Sequence, residues 1–184
     1  AHSLGGTAAL NMALDFPRET ARLAGLVTIG TPLDMMATSR RFSRHRNRVY
    51  GRHMLLALKH IAGTAPGISN QTLASAFSAR SVREFDDRVT APMAGHRNAA
   101  AYYRASSVHE RMQKIAIPVL VLHGSNDPWV PSKTCLKLPV PADPLAGVSV
   151  VVTRGGGHVG FHDSQLNWHI RATVAWCDAV AARG

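Results

Sequence analysis

Three residues that lie far apart in the chain, Ser3, Asp127 and His158, have the side-chain types that nucleophilic acyl transfer requires. A serine hydroxyl is a weak nucleophile until an adjacent base, usually an imidazole, removes its proton. A carboxylate that holds the imidazole in the correct tautomer completes such a triad. The chain order serine, aspartate, histidine occurs in one known class of these triads. We therefore predict that these three residues form a catalytic triad.

The serine lies in residues 1–6 (AHSLGG), where small residues flank it at two positions on either side. This pattern is typical of a nucleophile elbow, in which a strand turns sharply into a helix and leaves the serine strained and accessible. Gly6 would let that helix lie close to a sheet. The backbone N–H of Leu4 would donate to the oxyanion of the reaction. Because an elbow follows a central strand, we expect the sequence to begin in the middle of a fold.

The candidate acid and base each follow a segment with the length and composition of a buried strand. Residues 117–123 are mostly apolar and end in a turn-rich loop, residues 124–129, that contains Asp127. Residues 148–153 are rich in β-branched side chains, and a run of three glycines then precedes His158. Both candidate residues therefore lie where a predicted strand ends.

The rest of the chain predicts an α/β protein with a helical insertion. Residues 24–29 have the pattern of a further buried strand, and the residues after Ser3 predict a helix that ends before Pro17. No convincing strand pattern occurs at residues 33–115, so we expect a helical lid over the active site there. The predicted helices of this insertion are residues 41–62, with Gly63 as the stop, residues 72–79 and residues 81–89.

Local patterns also predict where helices begin and which faces they bury. Residues 81–84 and 107–110 both have the Ser-x-x-Glu spacing of a capping box, which predicts a helix start at each. A last helix is predicted at residues 165–182. The apolar residues that are expected to pack this helix on the sheet are Leu166, Ile170, Val174 and Cys177.

The net charge of the 184-residue chain is +10, and most of the excess comes from residues 40–59. One interpretation of this basic segment is a solvated helix face. The other is a basic surface near the substrate entrance that attracts anionic lipid headgroups or other acidic partners. Nucleic acid is not a predicted partner, since no zinc-finger spacing, RNA-binding signature or basic tail occurs. The basic residues of the segment are Arg40, Arg41, Arg44, Arg46, Arg48, Arg52 and Lys59.

Hydropathy and cysteine content indicate the cellular location of the protein and whether it binds a metal ion. No apolar run approaches the roughly 18 residues that a transmembrane helix needs. Cys135 and Cys177 have neither metal-ligand spacing nor the pattern of a disulfide framework. We therefore expect a cytoplasmic protein that uses no metal ion and no organic cofactor.

Other residues suggest chemistry less specifically. Asp86 and Asp87 could be the paired carboxylates of a glycosidase, but adjacent helical residues point in different directions, so ion pairs with nearby arginines are expected. His158 and His162 have the i, i+4 spacing of helical metal ligands. The glycines before His158 disfavour a helix at that point. His123, at the end of its strand, is interpreted as a packed histidine.

Six short motifs form a more specific signature than the elbow alone. They are RVYGRHMLL at residues 48–56, VREFDD at 82–87, YYRASS at 102–107, IP at 117–118, NDP at 126–128 and GGHVGF at 156–161. Together they resemble the YheT-like branch of the α/β-hydrolases, and the resemblance extends along nearly the whole chain. The first of these motifs looks like the lid of that family.

The resemblance implies that residues 1–184 are a single, incomplete α/β-hydrolase domain. It further implies a serine hydrolase that acts on short- or medium-chain acyl esters or on lipid esters, with phospholipases and alcohol acyltransferases among its relatives. By position, the nucleophile, acid and base of the family fall on Ser3, Asp127 and His158. The chain departs from the family at Ala1, where glycine is usual, and in lacking everything upstream.

Two functions therefore stay open from the sequence. One is a serine ester hydrolase or acyltransferase, and the other is an inactive remnant that acts as an interaction module or as half of a split enzyme. We expect the strand before the elbow to be absent, which would leave the strand at residues 24–29 with an unpaired apolar edge. On that basis we expect the isolated chain to be poorly soluble and nearly inactive on p-nitrophenyl butyrate.

Overall fold

The computed structural model describes residues 1–164 and 167–183, and the chain divides into two compact units. The α/β unit comprises Ala1–Thr38 and Ser106–Gly184, and the helical unit comprises Ser39–Ala105. The helices are α1 (Ser3–Asp15), α2 (Pro17–Thr20), α3 (Met35–Phe42), α4 (Arg48–Thr64), α5 (Asn70–Ser78), α6 (Val82–Phe85), α7 (Ala91–Met93), α8 (Ala99–Ser106) and α9 (Trp168–Ala181), and the strands are β1 (Leu26–Ile29), β2 (Val119–Gly124) and β3 (Val148–Thr153).

The three strands form one parallel sheet in the order β1-β2-β3. All six residues of β2, the central strand, are buried. A parallel strand covered on both faces is expected to be a continuous apolar run, as Val119–Leu122 of β2 are, and not to alternate with polar residues. The predicted α/β class with a parallel sheet and flanking helices is therefore confirmed.

The free edge of β1 is partly covered by the first two residues of the chain. His2 forms a parallel bridge with Ile29, whose N–H donates to the carbonyl of Ala1 at 3.0 Å. The terminal amine of Ala1 donates to the carbonyl of Val27 at 2.7 Å. The expectation of an unpaired β1 edge is therefore wrong at Val27 and Ile29, because Ala1 and His2 already pair with these two residues.

Alternate residues of β2 point to two separate apolar clusters, as a pleated strand requires. Val119 and Val121 lie in one cluster with Leu10 and Ala13 of α1. The opposite face packs against α9; the residues of that second cluster include Leu120 and Leu122 of β2, Ile29, Phe161, Trp168, Ala172 and Trp176. The sheet is thus the middle layer of the unit.

Helix α9 packs on the sheet through a face that differs from the predicted one. Trp168, Ala172 and Trp176 contact the second cluster, whereas Ile170 and Val174 are about half exposed, at 51% and 52%. Cys177 is exposed as well. The two indole rings offer more apolar area than the aliphatic residues do, so the helix turns them inward. Gln165 and Leu166 of the predicted helix lie outside the described residues.

The helical unit lies within the predicted insertion and contains no strand among its residues, all of which are described. Helix α4 begins at Arg48 and continues through Gly63 to Thr64, so the predicted start and stop of this helix are both wrong. At Gly63 the position of a Cβ would lie 3.4 Å from the ring of Phe77, so the glycine admits a neighbouring side chain. The core residues of the unit are Leu55, Ala62, Ala76, Ala79, Phe85 and Val89.

The capping pattern at residues 81–84 is present, but the one at residues 107–110 is not. Ser81 Oγ accepts the N–H of Glu84 at 3.1 Å, and a carboxylate oxygen of Glu84 accepts the N–H of Arg80 at 2.7 Å. Ser107 Oγ instead accepts the N–H of Met35 at 3.0 Å, and no α-helix begins there. The side chain caps a segment that is distant in sequence, which a local pattern does not reveal.

Candidate active site

The backbone places Ser3 at the sharp turn between the bridged residue His2 and helix α1. Its φ is +48°, in the left-handed region that non-glycine residues seldom adopt. This is the strained geometry predicted for an elbow. The helix behind it lies close to the segment after β1, because Gly6 has no Cβ and its missing atom would be 2.0 Å from Thr31 Oγ1. The strain at the serine is thus held by helix packing.

The imidazole of His158 links the hydroxyl of Ser3 to the carboxylate of Asp127. Nε2 lies 2.8 Å from Ser3 Oγ, and Nδ1 lies 2.8 Å from Asp127 Oδ2. Because the carboxylate accepts, Nδ1 carries the proton and Nε2 is left to accept from the serine. Gly156 and Gly157, with φ values of +109° and +58°, form the turn that brings the histidine to this position.

Asp127 is completely buried at the end of β2, and its two oxygens have different partners. Oδ1 accepts the backbone N–H groups of Trp129 and Val130 at 2.8 and 2.9 Å. Oδ2 is thereby directed to the imidazole of His158. The loop predicted from its turn residues therefore folds around its own acid and orients the carboxylate through two backbone N–H groups.

Two side chains that the sequence did not assign to the site support it. The ring of Trp129 meets the imidazole of His158 edge to face, with centroids 4.7 Å apart and an interplanar angle of 61°. His123 is fully buried, as the packed interpretation requires, and its Nε2–H donates to the carbonyl of Val130 at 3.2 Å. The same nitrogen is 3.8 Å from Asp127 Oδ2. In the sequence, the signal for a role of Trp129 was its position, two residues after the candidate acid.

Two glycines at strand ends let the loop that contains His158 lie close to the sheet. At Gly30, where φ is +60°, a Cβ would lie 2.2 Å from the carbonyl oxygen of His158. At Gly124 it would lie 2.6 Å from the carbonyl oxygen of Gly157. Sequence reasoning placed both residues only as ends of strands. Their importance depends on which loops lie beside them, so only the folded structure reveals it.

The sequence predicts the backbone N–H of Leu4 as the oxyanion donor, and it gives His158 and His162 the spacing of metal ligands. Leu4 is the second residue of α1, in the first turn, where backbone N–H groups have no intrahelical acceptor. Its N–H is therefore one of the groups at this helix end that can donate to a bound ligand. Among the side chains that the structure describes, no group of three His, Cys, Asp or Glu residues is arranged to hold a metal ion.

A comparison with known proteins identifies the family. The model of the alpha/beta hydrolase fold family matches residues 1–165. The chain belongs to this family. It is 34% identical over 139 residues to YheT of Escherichia coli (strain K12), an alignment that covers 73% of the chain and 40% of YheT. The similarity to YheT inferred from the sequence motifs is therefore confirmed.

Further similarities agree with this assignment. The chain is 40% identical over 84 residues to Phospholipase ABHD3 of Mus musculus, covering 45% of the chain and 20% of that protein. The crystal structure of the Paleococcus ferrophilus monoacylglycerol lipase superposes with a TM-score of 0.51 at 18% identity, covering 100% of the chain and 67% of that structure. This likeness shows the shared fold. The chain spans less than half the length of YheT and of ABHD3.

Proposed function

We propose that this protein is a serine hydrolase of carboxylic esters in which Ser3 is the nucleophile, His158 the general base and Asp127 the acid that orients the base. The observation that carries the proposal is the continuous hydrogen-bonded chain from Ser3 Oγ through both imidazole nitrogens to Asp127 Oδ2, with both distances at 2.8 Å. The strained φ of the serine and the family assignment support the same proposal.

The proposed reaction is acyl transfer in two steps. Ser3 Oγ attacks the ester carbonyl while His158 Nε2 takes its proton, and the imidazolium then gives that proton to the departing alkoxide. In the second step, Nε2 takes a proton from water or from an alcohol acceptor that attacks the acyl-serine, and Ser3 recovers its hydroxyl. Asp127 stays ionised throughout and stabilises the imidazolium.

The negative charge that develops on the carbonyl oxygen needs a donor, and we assign the backbone N–H of Leu4 to this role. An N–H at the start of a helix also benefits from the positive end of the helix dipole. A single donor of this kind contributes about 2.7–4 kcal/mol to transition-state stabilisation. The N–H is provided by the backbone, so a side-chain substitution at Leu4 is expected to leave it in place.

The substrate class that we propose is an acyl ester of small or lipid character. Relatives of the chain carry the names phospholipase and monoacylglycerol lipase. We further propose that residues 33–115 serve as a lid over the site and that the basic segment at residues 40–59 contacts anionic lipid. No helix of the described residues combines the length and apolarity that crossing a membrane would take.

Labelling with a fluorophosphonate probe tests the nucleophile, because the probe reacts with activated serines and needs no assumption about the substrate. We expect the chain to be labelled, and Ser3→Ala and His158→Ala each to abolish labelling. Ser164→Ala is a matched control, since Ser164 is an exposed serine of the same unit. Near inactivity on p-nitrophenyl butyrate was expected from an unpaired β1 edge, but Ala1 and His2 partly pair that edge. We therefore expect the chain to hydrolyse this ester and the Ser3→Ala and His158→Ala variants to lose the activity. Equal labelling of the Ser3→Ala variant and the parent would contradict the proposal.

A further inference from the structure

The helical unit contains a concavity of about 710 Å³ whose lining residues all belong to that unit. Helix α4 forms one wall, and the connection between α5 and α6 at residues 79–81 forms another together with Val82, the first residue of α6. The turn before α4 closes one end. None of the residues of the proposed triad contributes to this lining, so the concavity requires an explanation of its own.

The charged side chains that line this concavity are all cationic. Its five cationic side chains come from both walls and the turn, and no carboxylate lines it. Within residues 1–164 and 167–183, none of its guanidinium groups is ion-paired with a carboxylate. Glu84, the acid closest in sequence, pairs with Arg88 and accepts the N–H of Arg80. The five cations are Arg44, Arg48, Arg52, Lys59 and Arg80.

This arrangement costs stability unless an anion is present. Arg48 and Arg52 are separated by one turn of α4, where like charges destabilise a helix. Lys59 lies on the same helix, and its Nζ donates to the carbonyl of Phe77 in α5 at 2.7 Å. Local repulsion of this kind raises the affinity of the concavity for an anion, since the bound charge removes the unfavourable interaction.

The same concavity also presents apolar surface. Leu56 is 59% exposed, and Leu55, Phe42 and Val82 complete the apolar part of the lining. Gly51 lies between Arg48 and Leu55 on α4 and leaves the middle of the concavity without a side chain. A ligand that satisfies both kinds of surface carries an anionic group attached to an apolar segment.

We propose that this concavity binds the phosphate headgroup of an anionic lipid, with the arginines on the phosphate and Leu56 against the glycerol and the first acyl carbons. Guanidinium groups favour phosphate because their planar N–H pairs match two of its oxygens. The residues of the lining alone support an anionic ligand. The inference that this anion is a lipid and not a free phosphate rests on the proposed function.

Nucleic acid would use the same charges, but the concavity lacks a surface for its bases. Single-stranded nucleic acid binds through aromatic rings on which bases stack. The aromatic residue of the lining that could serve, Phe42, already packs edge to face on Tyr50, with centroids 5.7 Å apart. A lipid headgroup needs no such ring.

Vesicle co-sedimentation tests the proposal, with vesicles of phosphatidylcholine alone and of an equal mixture with phosphatidylglycerol. All variants are made on the Ser3→Ala background, so that binding is measured without turnover and does not depend on the proposed chemistry. We expect the protein to bind the mixed vesicles only. Arg48→Gln with Arg52→Gln should weaken this binding about 30-fold, because each basic side chain near an anionic surface contributes roughly fivefold.

Two further variants separate the concavity from net charge. Arg18→Gln with Arg22→Gln removes the same charge from exposed positions that do not line the concavity. We expect this pair to weaken binding by less than about threefold, because exposed charges that do not contact the bound phosphate are screened by salt. Gly51→Leu keeps every charge but fills the concavity, and it should weaken binding markedly. Circular dichroism confirms that each variant is folded.

Several outcomes would overturn the proposal. Equal losses in the two arginine pairs, or full binding by Gly51→Leu, would show that net charge alone attracts the vesicles. Calorimetry with glycerol 3-phosphate distinguishes a free phosphate from a lipid as the ligand, and tighter binding to it than to vesicles would exclude the lipid. Binding of a single-stranded RNA that vesicles do not displace would exclude the lipid as well. Loss of fluorophosphonate labelling in the parent with vesicle binding intact would refute the proposed function only.

Discussion

Asp127 of the α/β unit is fully buried and Asp86 of the helical unit is partly buried, and the partners of the two carboxylates differ. Asp127 accepts two backbone N–H groups on one oxygen and an imidazole on the other. Asp86 accepts the hydroxyls of Tyr103 and Thr90 at 2.6 and 2.8 Å. Burial raises the pKa of Asp86. A shielded carboxylate thus supports chemistry only where its partner can carry a proton to another group.

Tyr103, the tyrosine that donates to Asp86, cannot carry a proton to another group. Burial, together with the charge of Asp86, raises the pKa of the Tyr103 hydroxyl far above its ordinary value. The phenol therefore keeps its proton at neutral pH and donates a fixed hydrogen bond. An imidazole, by contrast, exchanges protons near neutrality. We infer that the Asp86 cluster stabilises the helical unit, whereas the Asp127 cluster contains the imidazole that the proposed reaction requires.

The largest expected effect comes from making the same substitution, aspartate to asparagine, at each of the two carboxylates. Asp127→Asn should lower the rate of p-nitrophenyl butyrate hydrolysis by about 10⁴, because the amide favours the wrong tautomer of the histidine. Asp86→Asn should leave the rate unchanged, since the hydroxyls of Tyr103 and Thr90 can accept from the new amide. Hydrolysis and fluorophosphonate labelling of both variants measure the difference. A similar loss in both would refute the separation of roles.

A second comparison uses two glycines with the same backbone strain. Gly30 and Gly67 have φ values of +60° and +76°, but a Cβ would meet the carbonyl of His158 only at Gly30, while nothing lies within 4 Å of that position at Gly67. Gly30→Ala should lower the labelling rate about 100-fold, since displacing a catalytic group by about 1 Å has such an effect. Gly67→Ala should cost about 1–2 kcal/mol of stability without loss of labelling. Equal rates in both variants would exclude the contact as the cause.

The third comparison lies inside the helical unit, between adjacent tyrosines. Tyr103→Phe removes a donor from the shielded Asp86 and should lower the free energy of unfolding by about 1–3 kcal/mol. Tyr102→Phe is the matched control, because the hydroxyl of Tyr102 makes no hydrogen bond within the described residues. Urea unfolding measures both variants, and equal stabilities would show that the hydrogen bond to Asp86 contributes nothing.

The smallest expected effect is a pH dependence of stability. Because the folded pKa of Asp86 is raised above its ordinary value of 3.8, the folded state favours the protonated acid. The stability contributed by protonated Asp86 is therefore fully present below pH 3.8 and is lost as the pH rises through the folded pKa. The asparagine variant should gain stability relative to the parent over that range. Urea unfolding at several pH values checks the sign, and a constant difference would contradict it.

Features that depend on neighbours in sequence could be predicted well. The elbow at Ser3, the acid loop at Asp127 and the glycine turn before His158 each arise from side-chain size and backbone freedom within a few residues. The parallel strands were predictable for the same reason, since an apolar run of five or six residues between turns has few alternatives. The family resemblance then assigned the roles.

Features that depend on distant residues could not be predicted in the same way. The packing face of α9 was wrong because the sheet surface selects Trp168 and Trp176 over the aliphatic positions. The predicted cap at Ser107 was wrong because its hydroxyl bonds Met35, far away in sequence. No periodicity or capping rule contains these contacts, since both rules consider one segment at a time.

The sequence by itself determined the side-chain chemistry available to this protein: a serine at a turn, an acid and a base at strand ends, and a basic segment without acids. The tertiary structure decided which of these groups act together. It brings residues 3, 127 and 158 within hydrogen-bonding distance and gathers five cations around one concavity. Hydrogen bonds and charge repulsion act over a few ångströms, so only the folded chain decides which partners meet.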